Sequence, residues 1–156
     1  TAMQAVNGKV YDSLSELKSW MLENDYLSGY CDPDLMGVLS QGLAPEITLE
    51  TEYDRKRIDE YQFGITRASG AIAESGTIIL KDESTSSRLG SLTPWVHITV
   101  LSFADMYKDI PAALDQLGDD PNIIWVTGPS KTADIEGILI EGVHGPGEQV
   151  CLRLDS

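Results

Sequence analysis

The six residues Val96-His97-Ile98-Thr99-Val100-Leu101 constrain the fold more than any other stretch of this chain. Residues of a strand point to opposite faces with period two, and here neither phase carries a charge. A strand with water on one side would show a polar phase, so this one is expected to be covered on both faces, as in a buried sheet. Ile123 to Val126 reads as a second buried strand and Gln149 to Leu154 as a final one. Helical patterns lie between such runs. Ser13-Leu14-Ser15-Glu16 has capping-box form, and Leu14, Leu17 and Met21 follow at helical spacing, which predicts a helix from Leu14 to Asn24. Strands alternating with helices predict an α/β fold with a mainly parallel sheet flanked by helices.

Shorter elements fill in around this frame. Tyr26 to Tyr30 and Ile47 to Leu49 read as strands, and Asp34 to Ser40 as a short helix stopped by Gly42. Asp54 to Tyr61 is charged and reads as an exposed helix. Ala71-Ile72-Ala73 and Thr77 to Leu80 flank Glu74-Ser75-Gly76, a hairpin signature in which glycine supplies a positive φ. Ser84 to Ser87 reads as a polar loop. Phe103 to Leu117 reads as one amphipathic helix, interrupted or restarted at Pro111 and ended by Gly118. Ser130 to Ile138 reads as a helix.

The chain has 156 residues, which suits one domain, with 25 acidic against 11 basic side chains and a net charge of -14. Such a field repels nucleic acid and anionic membrane. Apolar runs fall well short of the roughly 20 residues that span a bilayer, so no membrane insertion is expected. Two cysteines, Cys31 and Cys151, do not make a disulfide framework. Buried, reduced thiols in a cytoplasmic protein are the expectation.

Against that charge, "TGPSKTADIEG" at 127–137 is unexpected. A strand running into a Gly-Pro turn and a helix start is how many α/β proteins hold an anion, because the first turn exposes N–H groups and a partial positive charge. Gly128 would admit a ligand to the backbone, Ser130 would cap, Lys131 would add a charge, and Thr132 completes the group. Asp134 argues for the plainer alternative of a capped helix, since it already satisfies the dipole. The spacing is not that of a Walker motif.

"TGPSKTADIEG", "GITRASGAIAESGT" at 64–77, "RLGSLTPWVHI" at 88–98 and "EGILIEGVHGP" at 136–146 resemble the lactate-utilisation protein C family, the LUD domain. The resemblance covers about residues 60 to 154. It implies a sheet of the NagB, ribose-phosphate isomerase and CoA-transferase type, and a single domain over 1–156 lacking the family's longer N-terminal helical arm. It also implies a cytoplasmic, cluster-free accessory component of L-lactate oxidation to pyruvate, with iron–sulfur partner proteins carrying the redox chemistry. Two cysteines cannot supply the four thiolates of a cluster, so no cofactor is expected in this chain. A homo-oligomer and a small anionic ligand are both compatible with it. The alternatives are a CoA-transferase-like or sugar-phosphate-isomerase-like enzyme on a small anionic metabolite, and a pure interaction module.

Three further residues are candidates. In CoA-transferases of the related fold a glutamate beside glycine is the nucleophile, which makes Glu74 in "AESGT" the catalytic candidate; a solvated turn carboxylate is the alternative. Arg88 could fork onto a carboxylate or phosphate, or pair with an acid of this acidic chain. His144, in the glycine-rich loop "GVHGPG", is the second catalytic candidate, whereas His97, inside a strand, is expected to be a buried, hydrogen-bonded histidine. Glu74, Arg88 and His144 are expected to meet in one crevice.

Overall fold

The structure, a computed structural model, describes residues 1–81, 88–118, 122–133 and 139–154. The chain runs α1 (Ala2–Ala5), β1 (Lys9–Tyr11), α2 (Leu14–Glu23), β2 (Ser28–Cys31), α3 (Met36–Leu43), β3 (Thr48–Glu50), β4 (Phe63–Arg67), β5 (Gly70–Ile72) and β6 (Thr77–Lys81). It continues through α4 (Arg88–Leu92), β7 (Val96–Ser102), β8 (Met106–Tyr107), α5 (Ile110–Leu117), β9 (Ile123–Val126), β10 (Lys131–Ala133), β11 (Leu139–Glu141) and β12 (Glu148–Leu154).

Six strands form one sheet in the order β1-β12-β7-β4-β2-β3, and every neighbouring pair is parallel. β7 lies inside it and is buried from Val96 to Leu101, as its two apolar phases require. One face carries Phe63, Ile65, Ile98, Val150 and Leu152 against Leu17 and Met21 of α2 and Leu39 and Leu43 of α3. Burial stabilises each of these side chains by about 1.5–3 kcal/mol, which fixes the helix layer to the sheet. Gly42 lies within α3 rather than past its end. A Cβ there would meet Leu14 Cδ2 at 2.2 Å, so the missing side chain admits α2 instead of ending the helix.

The opposite face is covered by a second sheet in the order β8-β5-β6-β9. Ala68, Ala71, Ile78 and Leu80 meet Leu101 and Cys151 across the interface. α4 covers the rest, and it does so backbone to backbone. A Cβ on Gly64 would lie 1.8 Å from the carbonyl oxygen of Gly90, and one on Gly90 would lie 2.4 Å from the Tyr30 ring. These two glycines are the reason α4 can sit flat on β4.

The hairpin of β5 and β6 forms as the pattern predicts, antiparallel, with Gly76 at φ +69° in its turn. Three other expectations are corrected. Residues 131–133 are not the first turn of a helix: they form β10, paired antiparallel with β11, so that Lys131 faces Glu141. Cross-strand pairing overrides the local capping signal there, and Asp134 to Ile138 lie outside the described residues, as does the polar loop expected at Ser84 to Ser87. Phe103 to Leu117 is three pieces rather than one helix. A 3₁₀ turn at Phe103–Asp105 leads into β8, which pairs with β5, and α5 then starts afresh. Asp109 caps α5 and Pro111 sits in its first turn, where its missing N–H costs nothing. The charged segment after Asp54 is a 3₁₀ turn, Arg55–Glu60, broken at Arg57 by φ -111°.

Candidate functional site

From the carboxyl end of β2 the chain passes to β3 on one side. From that of β4 it goes on to β7 on the other, after building the second sheet. β2 and β4 are neighbours, so the sheet's switch point lies between them, the place where open α/β sheets bind ligands. Asp32 follows β2 at this point. Its N–H donates to the Ile65 carbonyl at 2.9 Å and its Oδ1 accepts from the Asp34 N–H at 3.0 Å. Its Oδ2 is buried and has no hydrogen-bond partner among the described residues. Asp34 pairs with Arg67 of β4 at 3.5 Å.

Beside this point opens a crevice of about 530 Å³, lined by Tyr30, Pro33, Thr51, Tyr53, Arg55, Arg88 and Leu89. Its aromatic wall is braced from behind. The Tyr53 ring meets Tyr30 edge-on at 5.6 Å and stacks on Tyr61 at 4.9 Å. The Tyr53 hydroxyl bonds the Thr93 hydroxyl, and Tyr61 Oη accepts from the Asp54 N–H at 2.9 Å. Glu50 grips Arg57 with two bonds of 2.8 and 3.0 Å and Glu60 adds one of 2.7 Å, which raises the guanidinium pKa further. Arg55, two residues earlier, makes no ion pair among the described residues. Arg88 reaches the crevice because the Gly64–Gly90 contact lays α4 along β4.

Arg88 is thus the candidate that the structure places at the switch point. His144 is exposed in a different cavity of about 650 Å³, with Tyr26, Pro94 and Trp95, at the amino ends of the strands. Glu74 is exposed on the β5–β6 turn and lines neither of these cavities; its N–H donates to the Lys108 carbonyl at 3.1 Å. The expected convergence of Glu74, Arg88 and His144 on one crevice is therefore corrected. The glycines around His144 make room for an aromatic ring instead, since a Cβ on Gly142 or Gly147 would lie 2.2 or 2.3 Å from Trp95.

In the 128–132 segment, Gly128 (φ +72°) is packed against the N-terminal segment, where a Cβ would lie 2.2 Å from the Val6 carbonyl oxygen. Its close approach is made by the chain itself. The Ser130 N–H donates to Pro146 at 2.8 Å, Lys131 pairs with Glu141 at 3.7 Å, and Thr132 stands opposite Ile140. With no helix beginning at Ser130, the dipole argument for an anion at this segment does not apply.

Sequence reasoning passed over Tyr30, Asp32, Tyr53 and Arg55. Asp32-Pro33 directly after a predicted strand was the available signal, since strand ends in α/β sheets are where ligands gather. Arg55 was hidden in a run read only as solvated charge.

His97 is fully buried within the parallel sheet. The Thr66 hydroxyl lies 2.9 Å from Nε2, and Gln149 Oε1 lies 2.9 Å from Nδ1. With Oε1 accepting, Nδ1 carries the proton and Thr66 donates to Nε2. Burial pushes the imidazole pKa down to about 4, against a smaller upward pull from the Gln149 bond. Cys31 and Cys151 are buried on opposite faces of the parallel sheet. Burial raises the first to about 12, with Asp32 adding to it, and the second to about 11. Both thiols should therefore react slowly with a disulfide reagent in the native protein and rapidly once it is unfolded. Modification of either at the rate of a small free thiol would contradict this burial. Among the described residues, no group of three or more His, Cys, Asp or Glu side chains could hold a metal ion. No helix among them is long and apolar enough to cross a membrane.

Fold and crevice define a class: an α/β protein on an open parallel sheet, with a basic crevice at the switch point. The chain belongs to the LUD domain family, which its residues 34–152 match. It is 37% identical over 100 residues to Lactate utilization protein C of Oceanobacillus iheyensis, covering 59% of this chain and 43% of that protein. The protein of the same name from Bacillus subtilis is 33% identical over 103 residues, covering 61% and 43%. An uncharacterised protein of Neisseria meningitidis is 32% identical over 116 residues, covering 69% and 50%. The matched chain spans about half the length of these relatives. A crystal structure of a DUF162 family protein from Deinococcus radiodurans superposes with a TM-score of 0.54 at 18% identity, covering 90% of this chain and 94% of that one. That likeness speaks for the fold.

Proposed function

We propose that this chain is the LUD-domain component of an L-lactate utilisation system, without a cluster of its own, acting beside iron–sulfur proteins that accept the electrons. The observation that carries the reading is its 33% and 37% identity to proteins named Lactate utilization protein C. The two cysteines support the division of labour, since thiols buried on opposite faces of one sheet cannot share a cluster. Lactate oxidation needs an electron acceptor, and in this reading the iron–sulfur proteins supply it.

The purified protein is expected to be colourless and inactive on lactate with a dye acceptor. Activity should appear when iron–sulfur partner proteins from the same host are added. Lactate turnover by the isolated chain, free of flavin and metal, would refute the reading. So would unimpaired growth on lactate after deletion of the gene in a host whose neighbouring genes remain essential for that growth.

A further inference from the structure

We propose that the crevice at the carboxyl ends of β2 and β3 is an anion-binding site, taking a metabolite that carries a phosphate or carboxylate group, with Arg55 and Arg88 as its cationic ligands. The site rests on its own geometry and holds whether or not the lactate reading does.

Charge is the first argument. Acids outnumber bases by 25 to 11 in this chain, and the neighbouring Arg57 is claimed by both Glu50 and Glu60. Yet the crevice wall carries two arginines and no acidic side chain among the described residues. Asp54, next to Arg55 in sequence, is turned to its own turn: its Oδ1 accepts from the Lys56 N–H at 2.8 Å. Arg55 is therefore a full positive charge beside a concave surface, with no ion pair among the described residues to neutralise it. Guanidinium forks match the planar oxygens of carboxylate and phosphate. In a protein whose overall field repels anions, a guanidinium that has no ion pair among the described residues and stands beside a crevice needs a local purpose.

Rigidity is the second. Tyr53 is fixed by Tyr30 on one side, Tyr61 on the other and the Thr93 hydroxyl at its tip. Arg88 is delivered by a helix whose backbone rests directly on β4. A preformed wall costs little ordering entropy on binding. Size is the third. A volume of about 530 Å³ falls within the ordinary range of small-molecule sites, and is generous for a three-carbon acid alone. The occupant therefore carries more than the anionic group, and the Tyr53 ring offers that remainder a flat, partly apolar surface.

The test is titration of the protein with inorganic phosphate, pyrophosphate, adenosine diphosphate, L-lactate and citrate, followed by calorimetry and melting temperature. Arg55→Gln, Arg88→Gln, Arg55→Lys and the control Lys56→Gln are titrated in parallel. At least one probe should bind the native protein. Each arginine-to-glutamine change should weaken it about tenfold or more, Arg55→Lys should recover part of the loss, and Lys56→Gln should leave affinity unchanged. Arg55 is exposed, so its variants keep the native melting temperature even if Arg88→Gln does not. The phosphate and carboxylate arms identify the anionic group. Binding of phosphates but not lactate supports the site while removing lactate as its ligand, and the growth experiment above judges the lactate reading separately. Absence of binding by all five probes up to about 10 mM overturns the proposal. So does binding that is indifferent to both arginines.

Discussion

Gly64→Ala should be among the most damaging single-methyl changes available in this protein. The added carbon would stand 1.8 Å from the Gly90 carbonyl oxygen, 2.7 Å from its carbon and 3.1 Å from its Cα. All three are backbone atoms, so no rotamer change can relieve the clash. α4 must lift from the sheet, opening space around the Tyr30 ring that Gly90 now covers. Overpacking a core usually costs about 1–3 kcal/mol, and a backbone-to-backbone contact belongs at or above the top of that range. Against a total stability of about 5–15 kcal/mol, that is a large fraction. Urea denaturation should show a clear fall in midpoint at unchanged slope. Gly37→Ala is the matched control. It adds the same methyl inside α3 where nothing lies within 4 Å, so it should stabilise by about 0.5–1 kcal/mol through helix propensity and unfolded-state entropy. Equal effects of the two changes would refute the close-packing account of α4. Arg88 rides on that helix, so Gly64→Ala should also weaken anion binding, although residue 64 does not line the crevice.

This contact explains what could and could not be read from the residues. β7 was legible because two apolar phases admit one environment, and the β5–β6 turn was legible because Gly76 supplies the positive φ a tight turn needs. The glycines of "GITRASG" and "RLGSL" were visible as motif letters, but their purpose was not. It lies between residues 26 positions apart, and nothing local encodes it. β10 failed for a related reason. Ser130 looks like a cap on any local reading, and only the partner strand at Leu139–Glu141 overrides it. The two-residue strand β8 owes its existence to β5, so Phe103 onward looked helical in isolation.

The site was half legible. Arg88 could be singled out because it opens the family-like stretch "RLGSLTPWVHI", although the acidity of the chain favoured a plain ion pair. Arg55 could not, because its lack of an ion pair among the described residues depends on where Asp54, Glu50 and Glu60 turn. Tyr30 and Tyr53 carried no signal of their own, because their part in the site comes from packing: ring contacts between distant residues brace the crevice wall.

Acid should destabilise this protein through His97 in a defined window. Folded, the imidazole is fully buried and its pKa is pushed down to about 4; unfolded, it returns to the ordinary 6.5. Between those values the unfolded chain binds the extra proton and the folded one does not, so stability falls as pH drops through that range. The gap corresponds to about 3 kcal/mol lost by the time pH reaches the folded value, below which this contribution flattens. The many carboxylates titrate in acid too, so the measurement is a difference. Urea midpoints of the native protein and of His97→Gln are compared from about pH 7.5 to about pH 4. Glutamine keeps a hydrogen-bonding side chain between Thr66 and Gln149 but has no proton to take up. The variant starts less stable, because the site is built around a ring and a glutamine side chain fills it less well. Its disadvantage should then shrink steadily between about pH 6.5 and pH 4. His97→Ala removes both bonds and leaves a void, at a cost of about 3–5 kcal/mol at neutral pH. Parallel pH curves for the native protein and His97→Gln would mean that the buried imidazole takes up its proton without strain. The picture of a neutral His97 held between Thr66 and Gln149 would then be wrong.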